Sequence, residues 1–264
     1  MYKIEGDLVS MGNTNGRHPK KKVFIVAGVH GDELSAPVNT YLLAKNLCNV
    51  VDDTYFKLRS CCNFYIIPCV NGYGMEHVTR TNGNGVDINR NYPVAAWTES
   101  GSGTSQYTGS SAGSEAETQM VMAAFNLVKP DVAMDHHNYA NTTWQLYAVC
   151  STEEMSNVVY DVFTDCSYTF IKNLPEYFGN KFKIFNVGDA PKVLASYQDQ
   201  TTNRWYYEQG IIDGCTCEIS NNINFRNGET HTGNELLYKP IVWSVGEYTL
   251  RNMVVKMVQH NLEI

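Results

Sequence analysis

Residues 23–29, VFIVAGV, are apolar without interruption and run straight into the polar tetrad His30-Gly31-Asp32-Glu33. A strand that is apolar on both faces must be covered on both faces, so it belongs inside a parallel or mixed sheet. A second run of this kind is NFYIIPCV at 63–70, and residues 131–137, 144–150 and 211–219 read as further strands. Helix-spaced apolar positions lie between them. They cover 34–48 (with Leu42, Leu43 and Leu47), a segment from Ser114 to about Val128, and a closing stretch over 236–261. Strands alternating with helices predict an α/β fold, a single domain over 1–264 with helices on both faces of a largely parallel or mixed sheet.

Punctuation along the chain agrees with this order. Ser114 and Glu117 have the spacing of a capping box, and Pro130 stops the helix they would open. Residues 71–113 are rich in Gly, Asn, Ser and Thr, and a loop that long inside a domain is either functional or disordered. A net charge of −7 argues against broad binding to nucleic acid or anionic lipid. No apolar run approaches the roughly 18–20 residues of a membrane span. The N-terminus lacks the apolar core of a secretory signal, so the chain as given is expected to be cytoplasmic. Eight cysteines, at 48, 61, 62, 69, 150, 166, 215 and 217, show no repeated Cys-x-x-Cys spacing and read as reduced thiols.

The chemistry gathers at strand ends, where crevices form in such sheets. His30 closes the first long strand and Glu33 follows three residues later; imidazole and carboxylate together suit zinc, whose catalytic sites take three protein ligands and leave a place for water. The third ligand must come from afar, and Asp135-His136-His137 offers it. His137 is the preferred ligand because it lies nearest the strand end, with His136 as the alternative. Asp135 or His136 would then fix a ring orientation. Glu218, in the strand GCTCEIS, is costly to bury unless it is paired or functional. It fits a general base that takes a proton from an activated water, or else a structural ion pair. Arg80 and Arg90 lie in the long loop. A guanidinium fork at Asn89-Arg90 matches a carboxylate, and Arg80 suits a developing oxyanion.

These segments resemble, in order from Ala27 to about Ser220, the zinc carboxypeptidases of the funnelin type, relatives of the digestive carboxypeptidases. HGDE is similar to the family's His-x-x-Glu zinc pair, MDHHN to the strand ending in the third ligand, and GVDINRNYP to the block that holds the substrate's terminal carboxylate. YTGSSAGSEAET and RWYYEQGIIDGCTCEI resemble later blocks, the second ending near the catalytic glutamate. The resemblance implies a twisted, roughly eight-stranded mixed sheet and one zinc ion on His30, Glu33 and His137. It also implies Glu218 as general base, Arg80 as oxyanion partner, and Asn89 and Arg90 as carboxylate readers. Tyr197 falls near the family's mobile tyrosine, and the specificity pocket near Asn203 and Arg204, where an arginine would favour an acidic side chain. The implied substrate is a peptide. HGDE also resembles the succinylglutamate desuccinylase and aspartoacylase branch, which makes an N-acyl amino acid or a cell-wall peptide amide the alternative. Asp32 replaces an arginine of several digestive members, and His136 an apolar residue.

Overall fold

The computed structural model describes residues 1–5, 20–138, 146–149, 192–194, 200–219 and 239–263. The strands are β1 (Tyr2–Ile4), β2 (Lys21–Ala27), β3 (Cys62–Ile67), β4 (Val132–His137), β5 (Leu146–Val149), β6 (Lys192–Leu194) and β7 (Gly214–Ile219). They form one sheet in the order β1-β3-β2-β4-β7-β5-β6. β3, β2, β4 and β7 run parallel; β1 pairs antiparallel with β3, β5 antiparallel with β7, and β6 parallel with β5. Among the described residues the sheet therefore has seven strands, where the resemblance implied about eight. It is mixed, as expected.

Both faces of the inner strands are covered, as the unbroken apolar run required. Val23 and Ile25 of β2 join a core with Leu43 and Leu47 of α1 (Ser35–Asn49), Tyr55 and Leu58 of α2 (Asp53–Cys61), and Leu250, Met253 and Met257 of the closing helix over Lys239–Glu263. The alternate residues Phe24 and Val26 join the opposite core. There they meet Val121 and Phe125 of α4 (Ala116–Val128) and Trp205 and Tyr206 of α5 (Thr202–Glu208). Phe125 is the hub of that face, edge-on to Phe24 at 5.9 Å and stacked on Tyr206 at 5.3 Å. Such ring pairs add to the stability given by burial itself.

The segment 71–113 is ordered by side-chain amides rather than by periodic structure. It holds α3 (Gly72–His77) and a 3₁₀ turn at Ile88–Arg90. Asn91, fully buried, donates to the carbonyls of Thr108 at 2.8 Å and Ser111 at 3.1 Å and accepts from the Glu115 amide at 3.1 Å. The capping box is absent. Ser114 Oγ donates to Glu115 Oε1 at 2.6 Å, Glu115 rather than Ser114 is the N-cap of α4, and Glu117 accepts from Asn82 at 3.2 Å. The Asn91 network had first claim on Ser114. Helix α2 was not anticipated; Asp52 caps it by accepting from the amides of Thr54 and Tyr55.

Candidate metal centre

The C-terminal ends of β2 and β4 bring the tetrad and His137 together. Gly28 turns the chain at φ +64°, where a Cβ would lie 2.9 Å from Pro37 Cγ. Gly31 is tighter still, since a Cβ there would sit 1.9 Å from the carbonyl carbon of Gly74, so the start of α3 presses directly on the turn. This packing directs His30 and Glu33 to one point. His30 Nδ1 lies 2.8 Å from Glu33 Oε1, His137 Nδ1 lies 2.9 Å from Glu33 Oε2, and the two ring nitrogens face each other at 3.1 Å. All three side chains are buried, and their candidate ligand atoms lie within 4.8 Å of one another.

The donor set fits a zinc ion. Two imidazole nitrogens and a carboxylate converge on one point, and a tetrahedral ion with bonds of about 2.0–2.1 Å would space its ligand atoms roughly 3.3 Å apart. Glu33, Asp87 and Asp135 all lie at ion-pair distance from His30 or His137, and the guanidinium of Arg80 lies at ion-pair distance from Glu33 and Asp87. Burial alone would raise Glu33, but the charges of His30 and His137 outweigh it and hold this carboxyl well below its ordinary range.

His136 points the other way. Its Nδ1 lies 3.1 Å from the carbonyl of Cys217, and burial depresses its pKa to about 4. It is therefore a neutral core histidine, and His137 is the one brought to the cluster. Glu218 stands directly across from His137 in the β4–β7 register. Burial, and then the charge of Glu33, push its carboxyl up to about 7 against the pull of His137 and His30. A carboxyl poised near neutrality suits proton transfer.

Arg80 Nε and Nη2 both reach Asp87 Oδ2, at 3.0 and 2.7 Å, and Arg80 Nη1 lies 3.3 Å from His30 Nδ1. Asp87 Oδ1 in turn lies 3.1 Å from His30 Nε2. Arg90, close enough to Glu218 to feel its charge, donates from Nη1 to the carbonyl of Asn89 at 2.9 Å. Asn89 Oδ1 accepts from both the amide and the hydroxyl of Thr202, each at 2.9 Å. Asn203 is buried beside Thr202, whereas the Arg204 Nε donates to Glu208 Oε1 at 2.9 Å along α5. Tyr197 lies outside the described residues. Sequence reasoning missed two partners, Asp87 behind His30 and Thr202 behind Asn89. An acid two residues before Asn89 was the available signal for the first, and nothing local marked the second.

A mixed α/β sheet with a His-Glu-His cluster at the ends of its parallel strands defines the class of metal-dependent hydrolases. The chain belongs to the zinc carboxypeptidase family, whose sequence profile matches residues 3–234. It is 32% identical over 128 residues to murein peptide amidase A of Escherichia coli strain K12. That stretch is 43% of this chain and 48% of the amidase, so the match spans about half the length of that relative. In fold the chain is similar to a carboxypeptidase A from Helicoverpa armigera, with a TM-score of 0.66 at 16% identity over 92% of this chain and 61% of that one. It is also similar to a murein-tripeptide amidase from E. coli O157, with a TM-score of 0.52 at 19% identity over 88% and 82%. Among the described residues no helix is long and apolar enough to cross a membrane.

Proposed function

We propose that residues 1–264 act as one catalytic domain that removes the C-terminal residue of a peptide, with a single zinc on His30, Glu33 and His137. The observation that carries this reading is the convergence of those three buried side chains opposite Glu218. Zinc, when bound, supplies a Lewis acid that makes a water molecule acidic enough to attack a carbonyl. Glu218 would take a proton from the attacking water and return it to the leaving amine. Arg80, with its Nη1 beside His30, faces the position where negative charge develops. Asn89 and Arg90 hold the terminal carboxylate. Because Thr202 occupies Asn89 Oδ1, the amide offers its Nδ2 donor to the substrate. Side-chain selection falls to Asn203 rather than to Arg204, whose guanidinium is engaged by Glu208.

A second reading, an amidase acting on cell-wall peptides, is favoured by the sequence likeness to murein peptide amidase A. Both use the same centre and differ in the bond cut. Zinc-loaded protein is offered short peptides with free and amidated C-termini, N-acyl amino acids and murein tripeptide. Release of C-terminal residues from free peptides alone supports the first reading, and turnover of the tripeptide alone moves the assignment to the second. No release from any of them, with zinc bound, contradicts both.

A further inference from the structure

Asp135 is a buried carboxylate without an arginine or lysine at ion-pair distance among the described residues. It is 0% exposed and sits two residues before His137 on β4, so both side chains stand on the same face of the sheet. Its Oδ2 lies 2.9 Å from His137 Nε2. Neither atom has a hydrogen bond to another group among the described residues. The surrounding face is apolar and aromatic. Tyr92 and Tyr206 are fully buried there; burial raises both phenols, and the charge of Asp135 adds to it, for Tyr206 after that of Tyr92. A carboxylate in such surroundings is kept only where a specific partner compensates it.

We infer that Asp135 is a positioning residue that takes the Nε2–H of His137 and so reserves Nδ1 of that ring for the metal. The inference rests on the zinc reading proposed above and adds the tautomer. His30 is already arranged this way, with Nε2 on Asp87 and Nδ1 toward Glu33. Each imidazole then has its own carboxylate behind it, and both present the same nitrogen at 3.1 Å from each other. A backing carboxylate fixes ring orientation and strengthens the nitrogen as a donor. His136 cannot substitute, because its Nδ1 is turned to Cys217 on the opposite face.

The test is zinc affinity, read by competition with a chromophoric chelator, for wild type, Asp135→Asn, Asp87→Asn and His137→Ala. The expected result is a 10–100-fold loss for Asp135→Asn, comparable to that for Asp87→Asn. An Asp135→Asn affinity within twofold of wild type, while His137→Ala abolishes binding, overturns the positioning role and leaves the ligand set intact. Unchanged binding in His137→Ala overturns the ligand set, and the positioning role with it. A measurement on the unmodified protein covers the case in which Asp135→Asn does not fold. Long-range ¹H–¹⁵N correlation of the imidazoles in the zinc-loaded chain should show His137 protonated at Nε2. A proton on Nδ1 overturns the inference.

Discussion

Asp87 joins His30 to Arg80 through its two oxygens, Oδ1 at 3.1 Å from His30 Nε2 and Oδ2 at 2.7 Å from Arg80 Nη2. One carboxylate thus orients an imidazole of the metal centre and the guanidinium proposed to meet the oxyanion. The positions of both depend on a loop that has almost no regular structure. What holds that loop is the set of hydrogen bonds made by the side-chain amides of Asn82 and Asn91.

Asp87→Asn should therefore lower zinc affinity and turnover together, each by about 10–100-fold. Titration with a chelator and steady-state rates at saturating zinc separate the two effects. A variant that loses neither removes Asp87 from the account.

Gly31→Ala places a methyl group against the backbone of Gly74, which has no side chain to yield. The turn and the start of α3 must separate, at a cost of about 1–3 kcal/mol, typical of overpacking. Chemical denaturation measures it, and zinc affinity should fall because His30 and Glu33 move. A wild-type melting curve with wild-type zinc binding would contradict the packing described.

Glu115 controls acid stability at the loop–α4 junction. Burial raises its pKa, but hydrogen bonds from Ser114, Asn82 and Asn84 outweigh that and leave it below its ordinary value of 4.5. A group with a depressed folded pKa contributes stability above its unfolded pKa and loses it as the pH falls through the folded one. Stability should drop as the pH falls below about 4.5, and Glu115→Gln should flatten that part of the curve. Equal slopes for the two proteins below pH 5, measured by urea unfolding, would count against it.

Glu218→Gln keeps the shape of the side chain and removes its basicity. Zinc content should be unchanged while turnover falls about 10²–10⁴-fold, the usual contribution of a general base. Retained turnover would make Glu218 a structural acid instead.

The inner strands were legible because their apolar runs have one physical solution, burial between two layers. β2, β3, β4 and β7 follow the expected segments to within a few residues. Short edge strands β1 and β6 were not, since three residues carry no period. Helix α2 is short and carries several polar and charged residues, and its Asp52 cap is clear only once the backbone is seen. At the centre, His30 and Glu33 were readable as a local pair and His137 from its strand end. Asp87 and Thr202 were not, because each acts across 57 and 113 residues of chain, respectively. The Ser114 capping box failed for a related reason: a distant asparagine outcompeted a local pattern.

The most direct test of the account is the zinc content of the purified chain after reconstitution at neutral pH, alongside His30→Ala, Glu33→Ala and His137→Ala. The account predicts one zinc per wild-type chain and loss of the metal in each variant. A wild-type chain that takes up no zinc, or variants that keep it, would contradict the assignment of the centre to these three residues.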